Sequence, residues 1–179
     1  MNRGFTLIEL LVSVGILALV VGVGGDLIIS SVRSYNKSQI LNTLSQNGGF
    51  AVSTFKGEAQ NAKNIITCTS STLTLTNKDG ALVIYTLAPF TACPANGSFV
   101  RNVAGDTTSL LNTAGTTATV RILPSDGSNT SGFVCNGNLV TVTLILAQAC
   151  DSTLGSNVRI DSSAVSVLKT AVVVRGTYK

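Results

Sequence analysis

Between Phe5 and Gly25 the chain runs through Leu, Ile, Val, Ala and Gly and carries a single charge, Glu9. A helix over residues 5–25 would rise about 31 Å, enough to cross the hydrocarbon core of a bilayer. Arg3 precedes the run and Asp26 follows it. The short basic flank is expected to stay on the cytoplasmic side and send the remainder outward. The expected product is a single-pass protein of the cytoplasmic (inner) membrane, N-terminus inside and head outside. Gly22 to Gly25 only loosely imitate the small-residue cleavage site of an ordinary secretory signal, and such a signal has no use for a carboxylate inside its apolar core.

Glu9 is the residue that needs explaining. An unpaired ionised side chain inside lipid costs about 2.5–3.5 kcal/mol on insertion scales. A cut between Gly4 and Phe5 would create an α-amino group four residues before Glu9, on the same helix face. That end of a helix also favours carboxylates. The compensating amine can belong to the same chain or to a neighbouring one, and the alternative is a carboxylate that snorkels to the interface. Spacing alone leaves these open.

The segment Arg3-Gly4-Phe5-Thr6-Leu7-Ile8-Glu9-Leu10-Leu11-Val12 resembles the class III signal of type IV pilins and type II secretion pseudopilins. The resemblance implies that residues 1–4 are a prepilin leader, removed after Gly4 by a membrane peptidase that also N-methylates Phe5. It implies an assembly role for Glu9, opposite the terminus of an adjacent subunit. The implied partners are the prepilin peptidase/methyltransferase, other pilin or pseudopilin subunits, an assembly platform, and membrane lipid before assembly. No cofactor is implied.

Beyond Asp26 the apolar positions continue at helical spacing. Leu27, Ile28, Val32 and Tyr35 are followed by Ile40, Leu41, Leu44, Gly48, Ala51, Phe55, Ala59, Ala62 and Ile65, with Gln46, Asn47, Lys56, Glu58, Gln60 and Lys63 largely between them. This is an amphipathic period, and it predicts a stalk helix over residues 26–66 whose stripe lies on a globular surface. An unbroken helix from Phe5 to Ile66 would be roughly 90 Å long. Gly48 and Gly49 each cost about 1 kcal/mol in a helix interior, so they mark either a kink or a close approach to a sheet. Gly22, Gly24 and Gly25 form a second weak point.

From residue 67 to 179 short alternating segments replace the long period. Strands are expected over 71–76, 81–87, 99–103, 117–123, 133–135, 139–146, 158–160 and 165–175. Asn77-Lys78-Asp79-Gly80 and Asn136-Gly137 supply hairpin turns. Pro89, Pro94 and Pro124 sit in connections, and residues 105–116 read as a loop or irregular edge. A long helix followed by antiparallel strands gives an α+β fold, the helix covering one face of an antiparallel β-sheet head. The stalk residues 49–65 and the Asp79-Gly80…Ile84-Tyr85 hairpin resemble minor pilins and minor pseudopilins more weakly.

Cys68, Cys93, Cys135 and Cys150 make an even count, which in an exported domain favours disulfides. The expected pairs are the local ones, Cys68–Cys93 and Cys135–Cys150, each closing a loop that contains a strand. The spacing lacks the close knuckles of a structural zinc site. With no histidine in the chain, a cysteine nucleophile has no usual base. Asp126-Gly127-Ser128-Asn129 reads as a turn rather than a calcium loop. Asn96-Gly97-Ser98 and Asn129-Thr130-Ser131 fit the N-glycan acceptor pattern.

Only 11% of residues are charged, against about 25% in soluble domains. The basic residues behind the net charge of +4 are scattered singly, which argues against a nucleic-acid face. A filament that repeats a weak subunit charge nevertheless keeps DNA as a partner to test. The reading is a structural minor pilin or pseudopilin subunit of a type IV pilus or type II secretion-like filament, not an enzyme. The alternative is a filament-tip module that binds DNA or a surface ligand. A membrane-tethered enzyme would need acids or cysteines converging in a cleft.

Overall fold

The computed structural model describes residues 6–92, 95–113, 119–149 and 164–176, the side chains of residues 23 and 24 excepted. One helix, α1 (Leu7–Gln60), is followed by nine strands. The chain divides into two compact units, Met1–Ser38 and Gln39–Lys179, and α1 contributes to both.

The first unit is helical throughout its described part beyond Thr6, with no break at Gly22 or Gly25. Its apolar side chains, from Leu7 through Leu17 and Val21 to Val32 and Tyr35, are exposed. α1 is the one described helix long and apolar enough to cross a membrane.

In the second unit the predicted stripe is observed. Leu44, Ala51, Phe55 and Ala59 are fully buried, and Ile40, Leu41 and Val52 pack at the margin. The helix passes Gly48 and Gly49 without a break. A Cβ on Gly48 would stand 1.9 Å from Leu168 Cδ1 and 2.6 Å from Leu146 Cδ1, whereas one on Gly49 would meet nothing within 4 Å. Gly48 therefore permits the close sheet approach that the glycine pair suggested, while Gly49 faces open space.

The helix ends at Gln60, short of the expected Ile66. Asn61 N donates to Glu58 O and Ala62 N to Ala59 O, tightening the last turn, and Lys63 N then donates to Thr76 O. Ile65 and Ile66, read as the end of the stripe, lie in β1 (Asn64–Cys68). Their β-branched run prefers a pleated surface, and the available partner strand decides the matter.

Five antiparallel strands, β1, β2 (Thr72–Thr76), β3 (Leu82–Ala88), β4 (Ser98–Val103) and β5 (Asp106–Ser109), form a first sheet in sequence order. The 77–80 turn closes β2 onto β3 as expected, with Gly80 at φ 86°. Residues 105–116, read as a loop or irregular edge, contain β5 at the edge of this sheet. Its Thr/Ser composition hides an edge strand that is exposed along its whole length.

The second sheet is built on β8 (Leu139–Gln148). β9 (Val165–Val173) pairs with β8 over residues 139–147. β7 (Gly132–Asn136) and β6 (Val120–Ile122) pair with its two ends and so share the opposite side. The expected strand over 158–160 lies outside the described residues.

Phe55 of α1, Tyr85 and Phe99 of the first sheet and Phe133 of the second form one aromatic cluster. Phe55 meets Tyr85 edge-on at 5.2 Å and Phe133 at 6.0 Å. These contacts join all three layers in one core, and aromatic pairs of this kind add about 0.5–1.5 kcal/mol beyond area burial. The two sheets also meet along a seam where Phe133 N donates to Ser70 O at 3.0 Å. A side chain at Gly132 would collide with that same carbonyl, at 2.7 Å.

Across the seam runs a disulfide, Cys68–Cys135. It replaces the expected local pairs Cys68–Cys93 and Cys135–Cys150, because β1 and β7 lie side by side although far apart in sequence. Closing a separation of 67 residues removes about 4 kcal/mol of unfolded-state entropy on the chain-entropy model. Cys93 and Cys150 lie outside the described residues.

Candidate assembly site

The N-terminal turn of α1 is organised by two residues. Glu9 Oε2 accepts from Thr6 N at 3.1 Å and from Thr6 Oγ1 at 2.9 Å, and Glu9 N donates back to Thr6 Oγ1 at 3.3 Å. Thr6 is the N-cap and Glu9 the third helical residue, so the pair is a reciprocal capping box. Among amides that an α-helix leaves without intrahelical partners, two are satisfied here. The carboxylate also lies where the helix dipole favours negative charge.

Sequence reasoning sought a partner for Glu9 in a terminal amine and overlooked Thr6. The signal was present as Thr6-x-x-Glu9 directly before an apolar run. Gly4 and Phe5, the expected cleavage and methylation positions, lie outside the described residues, as does Arg3. One turn further on, Ser13 Oγ donates to Glu9 O at 2.7 Å, which satisfies this hydroxyl within the helix. Beyond Ser13 the described side chains up to Val21 are apolar, and their exposure presents a continuous oily surface.

The second unit holds a different polar cluster. Glu58, in the last turn of α1, receives a bidentate contact from Arg101 of β4, with Nε and one terminal nitrogen each at 2.7 Å. The hydroxyl of Tyr85 donates to the same carboxylate. Burial, and then the hydrogen bond to Glu58, push the Tyr85 phenol far above its ordinary pKa. The hydrogen bond that Arg101 donates to Glu58 raises the pKa of its guanidinium as well. The phenol therefore stays a donor and the guanidinium a cation. The cluster fastens helix to sheet.

Asp126 forms a turn, as expected. Its Oδ1 accepts from Ser128 N at 2.9 Å and Asn129 N at 2.6 Å, and the Asn129 side chain also donates to it. These donors, led by the Asn129 amide, hold the carboxyl below its usual range. Its acceptor capacity is spent on its own loop. Among the described residues no three His, Cys, Asp or Glu side chains converge as metal ligands.

Neither glycan acceptor pattern is presented well. Asn96 is 6% exposed. Ser131, which ends the second pattern, is 5% exposed, with its hydroxyl donating to Leu123 O and accepting from Ile145 N.

An apolar helix opened by a capped glutamate, ahead of a disulfide-bonded β head, is consistent with a membrane-anchored protein. Residues 1–25 match the family described as the prokaryotic N-terminal methylation motif. That segment is the class III signal of type IV pilins and pseudopilins, and it supports a pilin- or pseudopilin-type structural subunit. No curated protein and no solved structure matches the chain.

Proposed function

We propose that the chain is a minor pilin or pseudopilin, inserted through residues 5–25 with its N-terminus in the cytoplasm and its head outside, and then drawn into a helical filament. The prepilin peptidase cuts after Gly4 and methylates Phe5. Other subunits and an assembly platform receive the processed chain, and lipid solvates its helix until they do. Its contribution is structural, through interfaces, and not catalytic.

The observation that carries this reading is the methylation motif over residues 1–25 followed by a helix whose outward side chains are apolar. In the unassembled chain Thr6 holds the Glu9 carboxylate. During assembly the new amine of a neighbouring Phe5 competes for it as a stronger, charged donor.

Intact-mass and N-terminal peptide analysis of the protein from its native host tests the processing step. The expected terminus is a methylated Phe5, and a mature protein that retains Met1–Gly4 contradicts the proposal. For the assembly step, Glu9→Ala should leave the head folded and reduce filament incorporation at least about tenfold, the effect of roughly 1.4 kcal/mol.

A further inference from the structure

The Cys68–Cys135 bridge is not the one that an unfolded chain makes first. Cys93 lies 25 residues beyond Cys68, and Cys135 lies 67 beyond it. The chance of closing a flexible loop falls as about the three-halves power of its length, so Cys68 meets Cys93 about four times as often as Cys135. Cys150, 15 residues beyond Cys135, is likewise the first partner of that thiol. Such encounters need no folded structure.

The observed bridge, by contrast, needs nearly the whole head. Cys68 is on β1, which pairs with β2 inside the first sheet. Cys135 is on β7, which is held by β8, a strand that extends to Gln148. The seam that brings β1 to β7 exists only when both sheets have formed, and contacts of such long sequence separation are slow to form. Once made, the bridge is favoured by the fold, because Cys68 and Cys135 both pack against the core. On the orientation proposed above, Cys68 and Cys93 also leave the membrane before Cys135, into a compartment that favours oxidation.

We propose that the head is oxidised first into local pairs and reaches Cys68–Cys135 by thiol–disulfide isomerisation, with an exported protein dithiol as the partner that opens the exchange. A chain that holds both local pairs has no thiol of its own, so the first thiolate comes from outside. It attacks Cys150 Sγ and frees Cys135 as a thiolate. Cys135 then attacks Cys68 Sγ, which forms the observed bridge and releases the Cys93 thiolate. Cys93 in turn displaces the external thiolate from Cys150. Two disulfides are present before and after, no electrons are gained or lost, and the external thiol is returned. The compartment and the order of emergence rest on the filament reading above, whereas the exchange chemistry does not.

The test uses the full chain, reduced and unfolded in urea, then diluted into detergent with diamide, which forms disulfides without adding a thiol. Alkylation and peptide mapping without reduction identify the partner of Cys68. Cys68–Cys93 is expected to exceed Cys68–Cys135 by at least about fourfold, the loop-closure ratio. After diamide is removed, that ratio should persist in buffer and reverse in a mixture of reduced and oxidised glutathione, faster still with a purified protein disulfide isomerase. Combined Cys93→Ser and Cys150→Ser substitution leaves Cys68 a single partner and should give Cys68–Cys135 from diamide alone. Predominance of Cys68–Cys135 in the first diamide products overturns the proposal, as does rearrangement in buffer without added thiol. A double variant that still needs glutathione overturns it too, and if that variant does not fold the time course of the unaltered chain decides. Because the readout needs neither membrane nor filament, a mature protein that retains Met1–Gly4 leaves it unaffected.

Discussion

α1 carries two glutamates, one in each unit, and their surroundings differ. Glu58 finds Arg101 and Tyr85 within its own chain. Among the described residues the Glu9 carboxylate finds the hydroxyl and amide of Thr6. The same holds for the apolar side chains around them, since Phe55 is fully buried whereas Leu17 is 62% exposed. One continuous helix thus contains a stretch whose side chains the chain itself covers and a stretch whose apolar side chains are exposed. On the proposed function the partners of the exposed stretch would be lipid first and sister helices afterwards.

The sharpest way to break this contrast is to truncate one side chain from each stretch. Phe55→Ala removes a ring that touches Tyr85 and Phe133 and should cost the head about 4 kcal/mol. Leu17→Ala should change head stability by about 0.5 kcal/mol or less. Urea unfolding of the full chain in detergent, followed through the head's tyrosine signal, measures both. A comparable loss from Leu17→Ala would mean that the first stretch also depends on the head.

A second comparison uses pH on the Glu58 cluster. The folded state raises the Tyr85 pKa through burial and the bond to Glu58. A raised folded-state value contributes stability that is present below the unfolded tyrosine pKa of about 10 and is lost as pH climbs past it. The expected slope above pH 10 is up to about 1.4 kcal/mol per pH unit. Tyr85→Phe should remove that slope at a cost of about 1 kcal/mol at neutral pH. The ion pair itself is partly exposed, with side chains 27% and 31% accessible, so solvent screening limits what it adds. An unchanged alkaline slope in Tyr85→Phe would place the sensitivity elsewhere.

Much of this architecture was legible in the sequence because it is periodic. The stripe from Ile40 to Ala62 and the 77–80 and 136–137 turns depend on local spacing and local backbone preference, and the structure reproduces them. β1 was hidden because Ile65 continues the helical phase, and only the pairing of Ile65 with Leu75 makes it a strand. The Cys68–Cys135 bridge was hidden for a related reason. Local loop closure favoured near neighbours, but the seam between sheets brings distant residues together. At the N-terminus the motif is plain, whereas the cap on Glu9 comes from a neutral hydroxyl and amide three residues away, at Thr6, and not from the charged partner that the cost of a carboxylate in lipid suggests.

The smallest expected effect narrows the contrast to adjacent residues. Gly48 and Gly49 share one helical turn and one intrinsic cost, about 1 kcal/mol each relative to alanine. Gly49→Ala adds a methyl to open space and should stabilise the head by up to that amount. Gly48→Ala gains the same propensity but drives its methyl into Leu168 and Leu146, and Leu146 is fully buried. Overpacking of this kind costs about 1–3 kcal/mol, so the net change should be destabilising by about 1 kcal/mol. Opposite signs in the unfolding midpoints of the two variants would locate the helix–sheet contact to a single residue. Equal stabilisation by both would show that Leu168 yields freely, and that the glycine is not what sets the approach of α1 to the second sheet.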